Sequence, residues 1–169
     1  MIYAHWEGFV VYMIKRICKF INDEKITYNN INDRIAIFSL EPQMKYISGN
    51  ASLDKRIKFF YKYREIYSKP VYINYTECVS AKSNLNFRQL ELMLDNLCIK
   101  VPNEIKCKKS IIEKLVTYRN KIAHGENSVV VNENDVRELA FGIILFIDIL
   151  IVTVKEYIVK KEFLKEAHS

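Results

Sequence analysis

Helix-breaking residues are scarce in this chain, and that scarcity constrains its fold more than any other feature. Only four glycines and three prolines interrupt 169 residues, half of which are apolar. Between residues 3 and 21, apolar side chains recur every three or four positions, which is the spacing of one buried helix face. These side chains are Trp6, Phe9, Val10, Met13, Ile14, Ile17 and Ile21. With short connections and no clear sheet, the pattern predicts an all-α bundle of five or six helices.

Local signals place the ends of several predicted helices. Asn86 is a predicted N-cap, and Ser110 and Glu113 have the spacing of a capping box. Gly125 is placed to end the helix that follows. The predicted helices cover residues 3–21, 29–39, 52–67, 86–99, 111–124 and 134–166. We expect them to form a single domain over residues 1–169.

Two segments between the predicted helices lack a helical pattern. The dipeptide Glu41-Pro42 and the stretch 48–50, Ser-Gly-Asn, predict a loop. Residues 71–79 alternate loosely and could be extended, although one isolated segment cannot build a sheet.

The most apolar stretch, residues 140–154, tests whether the chain crosses a membrane. It has 15 residues, with Asp148 among them, and is shorter than the roughly 18 that a spanning helix needs. An all-round apolar helix of this length is typical of a bundle centre, so no membrane association is predicted. Because an unpaired charge there is costly, Asp148 is expected to pair with a buried Lys, Arg or Tyr, or to face a wet cleft between subunits.

The net charge of the chain and its cysteines indicate which binding partners and which cellular compartment suit the protein. The chain has 26 Lys and Arg against 20 Asp and Glu, a formal charge of +6. That charge favours acidic partners such as nucleic acid, but it is also ordinary for a lysine-rich protein. The four cysteines lack zinc spacing, and Cys18 and Cys98 are expected to be buried thiols. Since the start lacks a signal-peptide pattern and the cysteines suit a reducing compartment, the sequence predicts a cytoplasmic protein. No metal and no cofactor are expected.

A basic segment between residues 55 and 64 leaves two interpretations open. Five Lys or Arg residues are interleaved there with four aromatic ones, Phe59, Phe60, Tyr61 and Tyr63. Such a segment can follow an RNA backbone and stack bases on its rings. A solvated helix face whose aromatic rings point inward gives the same pattern and is the more common case.

The end of the predicted helix 111–124 carries a candidate site in the stretch YRNKIAHG. Asn120 and His124 are four residues apart and share a face. Arg119 lies about 100° around the helix, but its side chain is long enough to reach the same side. His124 can transfer protons near neutral pH. Arg119 can hold a phosphate by two hydrogen bonds, and Asn120 can orient a hydroxyl or phosphoryl oxygen.

Together these residues suit cleavage of RNA without a metal. The 2′-hydroxyl would attack the adjacent phosphate, with His124 as acid or base and Arg119 offsetting the charge on the phosphoryl oxygens. Lys121 lies between them and is a predicted phosphate contact. A structural alternative stays open, because Arg and His near a helix C-terminus also complement its dipole. The spacing by itself is weak evidence.

The motif Arg119-Asn120-x-x-x-His124, near the end of a helix and followed by a long apolar helix, resembles the HEPN superfamily. The opening stretch HWEGF, residues 5–9, is similar to the first helix of a bacterial HEPN branch of RNA nucleases. This resemblance implies an all-α bundle that forms a two-fold dimer, in which two motifs share one cleft. It also implies metal-independent ribonuclease activity like that of toxin–antitoxin, abortive-infection and CRISPR systems.

The same resemblance implies roles for individual residues. Arg119 and His124 would be catalytic, and Asn120 would position them. Glu7 could support His124 or Arg119, although an acid in the first turn of a helix also complements the helix dipole. The implied partners are RNA, a second copy of the chain, and an antitoxin or defence-system protein. Some HEPN toxins have a Tyr, two residues after the histidine, that their antitoxin modifies, whereas Glu126 occupies that place here.

Two other functions compete with the enzyme. One is a non-catalytic HEPN module that binds RNA, nucleotide or a partner protein, and the other is a helical scaffold without a site. Intact Arg119, Asn120 and His124 favour the enzyme over the binding module. Polar residues that converge at one helix end disfavour the scaffold.

Overall fold

The computed structural model of the chain describes residues 1–49, 51–80, 84–125 and 132–165. These residues form eight α-helices and no β-strand, which confirms the predicted all-α fold. The helices are α1 (Ile2–Asp23), α2 (Asp33–Ile47), α3 (Leu53–Arg64), α4 (Tyr75–Cys78), α5 (Phe87–Asp95), α6 (Asn103–Cys107), α7 (Ser110–Ala123) and α8 (Glu133–Val159). The number exceeds the predicted five or six because the two shortest helices, α4 and α6, lie in segments without a helical pattern.

The contact between α1 and α8 forms the centre of the bundle. Trp6 of α1 is fully buried and packs against Phe146 of α8, with ring centroids 6.3 Å apart. The predicted apolar face of α1 is buried except at Phe9, which is half-buried. Removing these faces from water is the main favourable term in folding. Because α7 contacts both central helices, its position is fixed by this core.

The segment before α4 is extended for only a few residues. Val71 and Ile73 are buried and Tyr72 is exposed, which is the alternation that the sequence predicted. The side chain of Asn22 takes the place of a neighbouring strand by bonding both backbone groups of Ile73. It accepts the N–H of Ile73 at 2.8 Å and donates to the carbonyl of Ile73 at 3.0 Å. The chain then turns into α4 at Tyr75, so the extended prediction is wrong for the second half of residues 71–79.

Helix α2 continues through Pro42, where the sequence predicted a loop. The helix begins after Asn32, whose side-chain oxygen accepts the N–H of Arg34 at 3.0 Å. Proline removes one helical hydrogen bond. Buried Phe38 and Leu40 nevertheless hold α2 to the core, and the turn after Pro42 packs against α3. The breaker signal is local, and tertiary packing outweighs it.

The predicted capping box at Ser110 is wrong. Helix α7 begins at Ser110 itself, with Lys109 as the N-cap residue and no side-chain cap. Glu113 instead accepts the N–H of Phe87 at 3.1 Å, so it satisfies a free amide at the start of α5. The predicted cap at Asn86 is confirmed, since its side-chain oxygen accepts the N–H of Gln89 at 2.8 Å.

The two cysteines predicted to be core thiols differ in burial. Cys18 is fully buried, and burial raises its pKa to about 12. Cys98 is only half-buried and lies in the turn after α5 with a φ of 61°. Cys18 is therefore an unreactive thiol at neutral pH.

Helix α3 lies on the surface and buries none of its residues. Phe60 and Tyr61 are 58% and 59% exposed, so the inward-facing interpretation is wrong for these two rings. Phe59 and Tyr63 are half-buried and stack on each other, with centroids 6.2 Å apart. The helix ends at Arg64 rather than at residue 67.

One side of α8 is apolar and exposed. Most of the exposed apolar residues of α8 lie there, between 38% and 80% exposed: Phe141, Ile144, Leu145, Ile151, Val152 and Val159. Asp148 is also exposed, and within the described residues it forms no ion pair, so the expected buried partner is wrong. Its place at a contact between subunits stays a prediction. The helix ends at Val159 and the described residues 160–165 are not helical, so the prediction that it reaches Glu166 is wrong. Glu166 itself lies outside the described residues.

Within the ranges that the structure describes, no helix combines the length and the hydropathy that a membrane span requires.

Two helical glycines give a matched test of the packing between α7 and α8. At Gly8 a Cβ would meet open space, so Gly8→Ala should raise the free energy of unfolding by about 0.5–1 kcal/mol through helix propensity. At Gly142 the same atom would lie 2.7 Å from Cδ1 of Ile111. In urea denaturation, Gly142→Ala should therefore be less stable than Gly8→Ala by about 1–3 kcal/mol.

A third variant isolates the clash. Ile111→Val removes Cδ1, so it should cost less stability in the Gly142→Ala background than in the wild type. Equal stability of the two glycine variants would contradict this packing.

Candidate functional site

Helix α7 presents the motif at its C-terminal end. Arg119 and Asn120 are half-buried and His124 is exposed. The N–H of His124 donates to the carbonyl of Asn120 at 3.0 Å, so the imidazole lies one helical turn beyond the amide. Gly125 follows with a φ of 69°, which confirms the predicted end of the helix. Three buried residues hold the helix to the core: Ile112, Leu115 and Val116.

The structure brings Arg119 and Asn120 into direct contact. Nη1 of Arg119 donates to Oδ1 of Asn120 at 2.9 Å and to Oδ1 of Asn84 at 3.4 Å. Asn84 belongs to the segment that leads into α5, so the guanidinium joins two parts of the chain. Both acceptors are neutral amide oxygens, and the positive charge of Arg119 is therefore not neutralised by them.

Tyr3 of α1 covers the same guanidinium from another side. The Cζ atom of Arg119 lies 5.4 Å from the centroid of the Tyr3 ring, within the range of a cation–π contact. The Tyr3 hydroxyl accepts the N–H of Leu85 at 2.8 Å. Burial raises the pKa of Tyr3, and the Glu7 carboxylate adds to that effect. Tyr3 and Asn84 are the residues of this site that the sequence did not reveal.

The other predicted site residues make fewer polar contacts with the described part of the chain. Lys121 is half-buried and His124 exposed, and within the described residues neither side chain forms a hydrogen bond or an ion pair. Glu7 is half-buried beside the Tyr3 hydroxyl and is not paired with Arg119. Any influence of Glu7 on the motif therefore passes through Tyr3. Glu126 lies outside the described residues.

A family model described as RiboL-PSP-HEPN matches residues 1–156 of the chain. The chain belongs to this HEPN family. No curated protein and no solved structure matches it significantly. The family match confirms the resemblance that the two sequence stretches indicated, and it associates the chain with nuclease and RNA-related modules.

A charge cluster fastens the motif helix of this HEPN domain to α8. Lys114 donates to Asp135 at 2.6 Å and to Glu138 at 3.4 Å, and the Tyr118 hydroxyl donates to Asp135 at 3.3 Å. The hydrogen bond from Lys114 holds the pKa of Asp135 below its ordinary value, and the same bond raises the pKa of Lys114. Asp135 therefore links the middle of α7 to the first turn of α8.

The candidate motif leaves its His124 side chain exposed, while Arg119 and Asn120 are half-buried. A cavity of about 1010 Å³ occurs at the far end of α8, where Tyr157, Lys160 and Lys165 contribute to its lining, and the motif does not. Within the part of the chain that the structure describes, no group of three or more His, Cys, Asp or Glu is arranged to hold a metal ion. A guanidinium with unused donors and an exposed imidazole can bind a phosphodiester at the surface and transfer a proton.

Asp135→Asn should lower stability near neutral pH and flatten its dependence on pH in acid. Because Lys114 depresses the pKa of Asp135 below 3.8, the contribution of this pair is complete above that pH. It is lost as the pH falls through the lower pKa of the folded state. The difference in free energy of unfolding between wild type and Asp135→Asn should be constant from about pH 5 to 7 and shrink below about pH 4.

Glu133→Gln is the matched control for this titration. Glu133 is exposed in the same turn of α8 and pairs with Arg137 at the surface, so its loss should change stability little at any pH. An Asp135→Asn difference that persists undiminished at about pH 2 would show that the charge pair is not its cause.

Proposed function

We propose that this HEPN domain is a metal-independent endoribonuclease that acts as a toxin or phage-defence effector. One observation carries the proposal. Among the described residues Arg119 has only neutral hydrogen-bond acceptors, and His124, an exposed imidazole, follows it at the same end of α7. Cleavage of an RNA phosphodiester by the adjacent 2′-hydroxyl uses both kinds of group: an imidazole to transfer protons and a cation to offset the charge on the phosphoryl oxygens.

Each step of this reaction has a group to perform it. A base removes the proton from a ribose 2′-hydroxyl, and that oxygen forms a bond to the adjacent phosphorus. The bond from phosphorus to the 5′-oxygen breaks, and an acid gives the leaving oxygen a proton. His124 suits either role, Arg119 offsets the charge on the phosphoryl oxygens, and Asn120 steadies Arg119. The products are a 2′,3′-cyclic phosphate and a 5′-hydroxyl.

A two-fold dimer would complete the site. One chain supplies a single imidazole, whereas the reaction uses both an acid and a base, so two motifs facing one cleft would provide them separately. The exposure of His124 supports this proposal, because a second copy could cover it. The exposed apolar side of α8 supports pairing too, since apolar patches of this kind usually mark contacts with another chain.

The remaining parts of the proposal concern the setting of the reaction. The substrate is RNA, attracted by the +6 charge of the chain, with Lys121 as a phosphate contact. The whole chain acts as one HEPN domain in the cytoplasm, without a cofactor. An antitoxin or another defence-system protein restrains it or directs it.

His124→Ala should abolish RNA cleavage without disturbing the fold, because His124 is exposed at the end of α7. Wild type and variant are incubated with total RNA in excess EDTA, and the new ends are mapped. We expect 2′,3′-cyclic phosphate ends from the wild type and a rate at least about 100-fold lower from the variant.

His5→Ala is the matched control, because His5 is an exposed histidine on α1 that the motif does not include. It should cleave like the wild type. Cleavage by His124→Ala at the wild-type rate would refute the assignment. RNA binding without cleavage by the wild type would favour the non-catalytic HEPN module.

The rate per chain should fall on dilution if the dimer is the active form. Light scattering gives the mass over a range of concentrations, and the rate should decline as dimers dissociate. Ile144→Glu, on the exposed side of α8, should lower both the mass and the rate, whereas Tyr72→Glu, equally exposed elsewhere, should change neither. Full activity of a strictly monomeric protein would contradict the shared cleft.

A further inference from the structure

The guanidinium of Arg119 keeps both its charge and most of its donors. Arginine has five N–H groups, and the part of the chain that the structure describes engages only Nη1, toward Asn120 and Asn84. Among the described residues, no carboxylate forms an ion pair with Arg119. A phosphate needs unused donors and an uncompensated positive charge for bidentate binding, and Arg119 offers both.

The ring of Tyr3 is suited to hold Arg119 without neutralising its positive charge or occupying its N–H donors. The Cζ atom lies 5.4 Å from the ring centroid, and a cation–π contact acts through the face of the ring. Such a contact takes up none of the N–H groups, since they lie in the guanidinium plane. A carboxylate in the same place would neutralise the charge and compete with phosphate for the donors.

Tyr3 is itself fixed at its far end. Its hydroxyl accepts the N–H of Leu85 at 2.8 Å, and Leu85 is fully buried. The adjacent residue, Asn84, supplies one of the acceptors for Arg119. Burial and the neighbouring Glu7 raise the pKa of Tyr3, so the phenol is neutral at physiological pH and adds no charge to the site.

We propose that Tyr3 is a positioning residue that holds the Arg119 guanidinium in place to receive an RNA phosphate. This inference rests on the proposed ribonuclease function. The ring does the positioning, and the hydroxyl anchors the ring to the segment before α5. A merely structural role for Tyr3 would rest on the bond of its hydroxyl to Leu85, which Tyr3→Phe removes, and on apolar packing against the core, which Tyr3→Leu largely keeps.

Two substitutions separate these roles. Tyr3→Phe keeps the ring face and loses the bond to Leu85, whereas Tyr3→Leu keeps apolar bulk and loses both. If the ring positions Arg119, Tyr3→Leu should lower kcat by about 10-fold and raise KM several-fold, and Tyr3→Phe should stay within about 3-fold of the wild type in both. Tyr12→Leu, an exposed tyrosine on the same helix, is the matched control and should cleave normally.

A second measurement does not require cleavage. The affinity for a single-stranded RNA with 2′-O-methyl groups, which cannot be cut by its own 2′-hydroxyl, is measured for wild type, Tyr3→Leu, Arg119→Ala and the double variant. Because Tyr3 acts through Arg119, Tyr3→Leu should weaken binding several-fold in the wild type and have no further effect in Arg119→Ala.

The outcomes distinguish failure of this inference from failure of the ribonuclease proposal. Equal loss of activity in Tyr3→Phe and Tyr3→Leu would overturn the positioning role even in an active enzyme, and so would additive effects on binding. Absence of cleavage by the wild type, together with coupled effects on binding, would refute the ribonuclease but support the hold of Tyr3 on Arg119. Absence of both cleavage and binding would overturn both.

Discussion

The packing of Trp6 against Phe146 is the contact on which the rest of the molecule depends. It joins α1 to α8, and α7 is placed against both helices. Tyr3 precedes Trp6 by three residues, so the two side chains lie on nearly the same side of α1. Fixing Trp6 in the core therefore also fixes the place where Tyr3 meets Arg119, and a local change in the core would be felt at the motif.

The charged side chains of α7 have different partners along the length of the helix. Lys114 is paired with two acids of α8 and serves to hold the helices together. Within the described ranges, Arg119 meets only amide oxygens and the face of an aromatic ring. The attraction of α7 for an anion is therefore concentrated at its C-terminal end, where His124 is exposed, rather than spread along the helix.

Features encoded within a few residues could be predicted from the sequence, and those that depend on distant contacts could not. The buried face of α1, the Asn86 cap and the helix end at Gly125 need only local spacing. The candidate motif could be predicted for the same reason, since its three residues lie close together in the sequence at one helix end; its catalytic role stays a prediction. Tyr3 is 82 residues from Leu85, and Asn84 is 35 residues from Arg119, so no pattern in the chain marks either one. At Pro42, tertiary packing outweighs the tendency of proline to end a helix. Glu113 accepts a hydrogen bond from the start of another helix rather than capping its own.

The absence of buried side chains from α3 has a further consequence. A helix that buries so little apolar surface loses little when it detaches, and the free energy of such an opening lies far below that of global unfolding. Because the main packing partner of α3 among the described helices is α2, an opening of α3 would disturb α1, α7 and α8 little. The protein thus combines a motif held on a rigid core with one surface helix whose order can change independently of it.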